Sequence, residues 1–368
     1  MIEDKLFKNE EKAIFSLRKL YRENGYLPFK MSKFEEYDMY VRNKDFLIGD
    51  SAITFNDTDG RLLALKPDVT LSIIKNATFE PGQKHRVYYN ENVYRVSGST
   101  HRFKEIMQTG LECVGDIDIY DVFEVTYLAA KSLSRISENF VLDISHMGIF
   151  SAIIDEVSED KAFKKEMASY IAEKNRHEAK ALCDRYSIDE KNSEMLVSFI
   201  DMYGKASDVL PRLCKVCTSE KSKSAFDELS TLTDLLSKTE FSESINLDFS
   251  AVSNMKYYNG IVFKGFLRGI YESVLSGGEY QPLMKRMGKG GSGIGFALYL
   301  DLLESLDNSD QRVDVDVLLL YSEKNDTGAI INKKNELLSA GKSVSVQRSI
   351  PKKIRYGEVL NMDEEGMI

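Results

Sequence analysis

The 368-residue chain has no excess of basic charge: 58 acidic residues against 49 Lys and Arg leave a net charge of -9. A dedicated nucleic-acid binder needs a basic face for phosphate contacts, so this balance argues against RNA or DNA as a partner. No apolar run approaches the ~20 residues that cross a bilayer, so no membrane span is expected. No apolar segment follows a basic start, so no signal peptide is expected and the protein should be cytoplasmic. Cysteine is scarce: Cys113, Cys183, Cys214 and Cys217, all expected to stay reduced. "CKVC", Cys214 to Cys217, has no second CxxC and no nearby His. It lies in helical-looking sequence and reads as buried thiols, not as a zinc or redox motif. His85, His101, His146 and His177 are scattered without ligand spacing, so neither metal nor cofactor is expected. "GKGGSGIGF", Gly288 to Phe296, lacks the Lys-Ser/Thr that closes a phosphate loop and reads as a glycine-rich hinge into a helix. "DIDIYD", Asp116 to Asp121, lacks the Gly and Glu of a calcium loop and reads as an acidic helix start.

What is present is ordinary globular composition, 43% hydrophobic and 29% charged, in a chain long enough for two or three domains. Residues 3–25 repeat apolar side chains at helical spacing and end at "ENGY". "NDTDG" marks a hairpin turn, and "LALKPDVT" leads into a helix that Asp68 or Thr70 caps. "HRVYYNENVYRV" and "EIMQTGLECVG" read as paired strands around a polar loop, followed by the helix "DIYDVFEVTYLAAKSLSRI". "FVLDISHMGIFSAIIDEV" is a strand running into a helix. Residues 151–243 turn helical and rich in Lys, Glu, Ser and Met; strands return at "INLDFSAVSNMKYYNGIVFKGFL" and "YESVLSGGEYQPLM". "GIGFALYLDLLESL" is expected to be a helix, and "VDVDVLLLY" starts a β-α-β unit. The expected organisation is an α+β core over 1–150 and 244–308, a helical insertion over 151–243, and a short α/β tail over 309–368.

One set of polar residues is dispersed through apolar strands and strand ends: Asp68, Gln108, Glu112, Tyr257, Tyr258 and Glu279. Alternation sends Gln108, Gly110 and Glu112 to one face of a strand, and the glycine leaves space between the two polar groups. Carboxylates and an amide walled by tyrosines suit a small amine or an imidazole. Each residue also has a plainer reading, Glu112 as a hydrogen-bonded core acid and the tyrosines as packing.

The order of these motifs over residues 1–305 resembles class II histidyl-tRNA synthetases, and more closely their paralogues, the regulatory subunits of ATP phosphoribosyltransferase. "GRLLALKPDVT" resembles the synthetase segment leu-arg-pro-glu-gly-thr. "YRVSGSTHRFKEIMQTGLECVG" resembles motif 2, and "GIGFALYLDLLESL" resembles motif 3. "YYNGIVF" and "GGEYQPLM" resemble the histidine-pocket strands. The resemblance implies a class II antiparallel sheet flanked by helices.

The departures are informative. Motif 2 of a synthetase reads phe-arg-x-glu-arg; here Arg95 stands, but "VSGST" follows. The glu-arg pair of motif 3 is replaced by Asp301-Leu302, and in "SNMKYY" Ser253 and Lys256 replace an Arg and an Asp. ATP activation needs cations on the triphosphate and acids for magnesium, and each charge-assisted contact contributes about 1.5–3 kcal/mol. Without them the chain is expected to be catalytically silent, with no catalytic residue of its own. The resemblance then implies a regulatory subunit in the first step of histidine biosynthesis. It would support a short-form ATP phosphoribosyltransferase catalytic subunit and mediate feedback by histidine. It further implies that Asp68 and Gln108 face the amino group of histidine, that Glu112 and Tyr257 or Tyr258 face the imidazole, and that Arg95 is a residual motif 2 arginine. It implies a homodimeric core within a hetero-octamer. The alternatives are a divergent histidyl-tRNA synthetase and a synthetase-like amino-acid sensor with another partner.

Overall fold

The computed structural model describes residues 8–43, 52–96, 102–250, 257–306 and 313–363. Helix α1 (Asn9–Glu23) buries Leu17, Leu20 and Tyr21 along one face and ends where Gly25 takes φ +81°, a left-handed turn that glycine adopts without strain. After β1 (Leu27–Pro28), β2 (Phe34–Glu36) and α2 (Tyr37–Arg42), the "NDTDG" turn joins β3 (Thr54–Asn56) to β4 (Leu62–Leu65). The Asp57 carboxylate closes that turn by accepting from the backbone of Asp59 (2.9 Å) and Arg61 (2.8 Å). The three short strands form a small antiparallel sheet in the order β2-β4-β3.

Helix α3 (Thr70–Asn76) leads to the long antiparallel pair β5 (Lys84–Val96) and β6 (Phe103–Gly115). Helix α4 (Ile119–Ser134) starts where the sequence is acidic. The Asp118 carboxylate accepts from the backbone of Tyr120 (2.9 Å) and Asp121 (3.4 Å), and Lys84 pairs with both Asp118 and Asp121. Strand β7 (Phe140–His146) runs into α5 (Met147–Val157). The helical block follows: α6 (Lys161–Ala172), α7 (Arg176–Arg185), α8 (Glu190–Ser198), β8 (Tyr203–Gly204), α9 (Ala206–Val216) and α10 (Glu220–Ser237). It is not purely helical, because β8 pairs with β9 (Ile245–Asp248) and extends the main sheet. Strands β10 (Ile261–Leu267) and β11 (Leu275–Glu279), helix α11 (Gln281–Arg286) and strand β12 (Ser292–Tyr299) complete the larger unit.

The main sheet has the order β1-β5-β6-β12-β11-β10-β7-β9-β8 and is antiparallel except for the β1/β5 and β7/β9 pairs. This is an α+β fold of the class II synthetase kind. Leu111, Cys113, Ile294 and Phe296 face α1 and α4, where the Tyr21 and Ser132 hydroxyls share a hydrogen bond (3.1 Å). Phe163, Met167, Leu182 and Leu213 of the helical block belong to this same core. Residues 1–306 form one compact unit and residues 307–368 a second. In the second, β13 (Val315–Leu320), α12 (Thr327–Ser339), β14 (Val344–Gln347) and β15 (Tyr356–Asn361) make a parallel sheet in the order β14-β13-β15.

Two expectations are corrected. "GIGFALYLDLLESL" is not a helix: Ser292–Tyr299 is strand β12, followed by a 3-10 turn over Leu300–Leu306. Its period is two, with Ile294, Phe296 and Leu298 buried on the α4 side and Gly293, Gly295 and Ala297 on the other. "CKVC" is not a pair of buried thiols. Helix α9 ends at Val216, so Cys217 turns inward while Cys214 stays exposed. Among the described residues no helix is long and apolar enough to cross a membrane, and no group of three or more His, Cys, Asp or Glu is arranged to hold a metal ion.

The Lys66 side chain is fully buried, and its ammonium pairs with the Glu91 carboxylate. Lys66→Met is expected to destabilise the larger unit by about 3 kcal/mol, since it strands a largely buried carboxylate. Denaturant unfolding followed by circular dichroism checks this. Adding Glu91→Leu should restore most of the loss, and a double mutant no better than the single would contradict the pairing.

Candidate functional site

The sheet face away from α1 and α4 carries the site. Along β6, Gln108, Gly110 and Glu112 point to this face, as their spacing requires. Gly295 of β12 stands beside Glu112 in register, and a Cβ there would lie 1.8 Å from Glu112 Oε2. The space above Gly110 is not empty as expected. The Tyr89 hydroxyl fills it and donates to the Phe296 carbonyl (3.3 Å). A Cβ on Gly110 would meet that hydroxyl at 2.7 Å.

Glu112 is 2% exposed, and both its oxygens are held. The Thr70 hydroxyl donates to Oε1 (2.8 Å) and the Tyr280 hydroxyl donates to Oε2. Burial pushes its carboxyl up to about 8 against the pull of these two hydrogen bonds, and the Asp68 charge adds to the rise. Asp68 accepts from the Leu71 backbone N–H (3.0 Å) and so holds the start of α3, the capping role its sequence position suggested. Burial raises its carboxyl too, opposed by that N–H and by Arg95. Arg95, near the end of β5, donates from Nε to the Pro67 carbonyl (3.0 Å) and lines the same cavity.

Gln108 is 2% exposed, and its side-chain amide nitrogen has no hydrogen-bond partner among the described residues. A buried donor left this way costs roughly 1–3 kcal/mol, so it marks a place where an acceptor on a ligand would be favoured. Tyr257 and Tyr258 wall the cavity with their rings 4.6 Å apart, and Tyr280 stands 6.0 Å from Tyr257. Ser276 and Tyr299, hydrogen-bonded to each other (2.9 Å), line the far side. The free space between these walls is narrow, about 30 Å³. A ligand larger than a few waters therefore requires the walls to move.

Of the residues singled out in the sequence, Asp68, Arg95, Gln108, Glu112, Tyr257 and Tyr258 come together here. Glu279 does not. Its carboxylate accepts from the Ile261 backbone (2.7 Å) on the side facing Glu228, and burial, with the Glu228 charge added, pushes it up to about 7. Ser253 and Lys256 lie outside the described residues. Thr70 and Tyr280 were missed as site residues. Thr70 read only as a cap, and nothing in "GGEYQPL" announces that Tyr280 reaches across to Glu112.

Two buried carboxyls, an amide donor, one guanidinium and five tyrosines suit recognition of a small zwitterion with a further N–H to donate. Among the described residues no histidine or cysteine lines the cavity. Asp301, in the 3-10 turn after β12, spends its charge on Lys104 of β6 (3.1 Å).

The family model for histidyl-tRNA synthetase matches residues 3–303. An ATP phosphoribosyltransferase regulatory subunit from Clostridium kluyveri is 29% identical over 84% of this chain and 82% of its own length. A protein of the same name from Oceanobacillus iheyensis is 27% identical over 92% and 85%. Among solved structures, an ATP phosphoribosyltransferase regulatory subunit/histidyl-tRNA synthetase from Bacillus halodurans superposes with TM-score 0.76 at 22% identity, over 98% of this chain and 96% of that one. A chain of the ATP phosphoribosyl transferase (HisG:HisZ) complex from Thermotoga maritima gives TM-score 0.63 at 23% identity, over 80% and 98%.

Proposed function

Because this chain belongs to the histidyl-tRNA synthetase family, we propose that it is the regulatory subunit of ATP phosphoribosyltransferase in histidine biosynthesis, without catalysis of its own. The relatives over most of its length carry that name. The observation that carries the reading is an asymmetry. The buried carboxyls, amide and tyrosines gather in one cavity, while of the charges that a synthetase aims at ATP the sequence keeps Arg95 but not the Glu and second Arg of motif 2 or the Glu-Arg pair of motif 3. Histidine is the effector whose polar groups match the lining of the cavity. Its ammonium faces Asp68, its imidazole N–H faces Glu112, and its carboxylate meets the free amide N–H of Gln108 and the Arg95 guanidinium. This last assignment differs from the sequence expectation, which put Gln108 at the amino group. The Gln108 donor has no partner among the described residues, and a donor suits a carboxylate.

The partner is the short-form catalytic subunit, and the assembly a hetero-octamer built on a dimer of this chain. Regulation works by linkage: histidine shifts the complex by binding one of its states better. The test is phosphoribosyl-ATP synthesis by the catalytic subunit, with and without this protein, across a histidine titration. Activation that histidine reverses is expected. Activation insensitive to histidine would remove the sensor and leave a scaffold. No activation, or ATP–pyrophosphate exchange that depends on histidine, would overturn the reading.

A further inference from the structure

The segment that carries Tyr257 and Tyr258 is tied to its surroundings by a short series of hydrogen bonds. The Asn259 N–H donates to the Glu279 carbonyl (3.2 Å), and the Ile261 N–H donates to the Glu279 carboxylate. Glu279 packs so closely here that a Cβ on Gly260 would lie 2.1 Å from its Oε2. The Gly260 carbonyl accepts from the Met147 N–H (2.9 Å), and Ile261 pairs in register with His146. His146 is 3% exposed and sits at the junction of β7 and α5. Its Nδ1 accepts from the Gly148 N–H (3.1 Å), so in the neutral ring the proton is on Nε2. That nitrogen faces the Glu228 carboxylate on α10 at 3.2 Å. Tyr258 borders the site on one side and, on the other, a cleft of about 960 Å³ that separates this segment from the first half of α10. Helix α10 is anchored in the core by Ala225, Leu229, Leu232 and Leu236, so that its cleft-facing side chains, Glu228 among them, are what border the open space. Across the cleft, the hydrogen bond between His146 and Glu228 joins the two sides, and at its edge the Thr218 hydroxyl, just before α10, donates to Glu156 of α5 (3.5 Å).

We propose that the His146–Glu228 hydrogen bond is a relay that reports occupancy of the site to the helical block. The relay rests on the reading of the site as a histidine pocket. A ligand that parts Tyr257 and Tyr258 displaces residues 258–261, and these cannot shift without moving the backbone bonded to Met147 and Glu279. His146 moves with that backbone, and α10 has open space in which to follow. Such a chain of bonded groups is a route for coupling, and the coupling itself is what an experiment measures.

Two variants cut the relay at different points. Glu228→Ala removes the acceptor from a partly exposed position. His146→Asn keeps a side-chain oxygen for the Gly148 N–H, since Asn is a good N-cap, but does not reach Glu228. Histidine affinity of the full chain alone is measured by calorimetry, amide hydrogen exchange of residues 220–237 with and without histidine, and inhibition in the complex with the catalytic subunit. The expected result is histidine affinity within about threefold of wild type in both variants. Exchange in α10 responds to histidine in the wild type only. The histidine concentration for half-inhibition rises by about tenfold or more, within the usual range of allosteric coupling. Histidine binding that leaves α10 exchange unchanged in the wild type overturns the relay alone, as does an equal response in both variants. Absence of histidine binding to the wild type overturns the reading of the site, and the relay with it.

Discussion

Glu112→Ala is expected to abolish the response to histidine while leaving the complex with the catalytic subunit intact. On the proposed reading Glu112 is the acceptor for an imidazole N–H, and leaving such a buried donor unpaired costs about 1–3 kcal/mol, roughly 5- to 150-fold in affinity. The substitution also strands the hydroxyls of Thr70 and Tyr280, which now both donate to Glu112. Glu112→Gln separates the two effects. It keeps an acceptor for one hydroxyl and the shape of the side chain, but cannot ionise. Calorimetry on the two variants and size-exclusion of the complex check this. Retained affinity in both would remove Glu112 from recognition.

The same pair of proteins tests the burial of Glu112 through pH. Its folded pKa, about 8, lies above the ordinary value of 4.5. Below 4.5 the carboxyl is neutral in both folded and unfolded chains, and burial costs no charge. As pH rises towards 8, the unfolded chain releases the proton and the folded chain keeps it, so the wild type loses stability. Gln does not titrate. The stability of Glu112→Gln relative to wild type is therefore expected to grow between pH 5 and 8 and to level off above. A flat difference over that window would mean that Glu112 is ionised in the fold.

Gly295→Ala is the second large effect. The added Cβ would lie 1.8 Å from Glu112 Oε2 and 2.5 Å from the Leu111 carbonyl. A side chain can rotate away, but a central-strand carbonyl cannot, so the cost is expected to be about 3 kcal/mol, at the upper end for overpacking. Histidine response should fall with it, because Glu112 is pushed from its two hydroxyl partners. Combining Gly295→Ala with Glu112→Ala is expected to recover part of the stability and none of the response. A Gly295→Ala protein with wild-type melting temperature would contradict the close approach of β12 to Glu112.

Much of this molecule was legible from period and punctuation. The Asp57–Gly60 turn, the acidic start of α4, the strand-to-helix passage at His146 and the helical block all follow from local spacing, because each is stabilised mainly by residues close in sequence. "GIGFALY" was misread because its helix-like apolar content hides a period of two, made of glycines on one face. Those glycines are set by what lies across from them: Gly295 by Glu112, and Gly293 by the Tyr280 ring, which a Cβ would meet at 2.3 Å. Such a requirement is invisible along the chain, because the partners are 183 and 13 residues away.

The sequence by itself determined the order of elements, the departures on the ATP side, and six of the residues that line the cavity, because side-chain chemistry and strand alternation are local properties. The tertiary structure alone decided which polar groups are already satisfied. It bound Glu112 between Thr70 and Tyr280, left the Gln108 donor without a partner among the described residues, filled the space above Gly110 with Tyr89, and turned Glu279 away towards Glu228. The physical reason is that hydrogen-bond satisfaction and burial depend on which strands and helices meet, and these meetings join segments far apart in the chain.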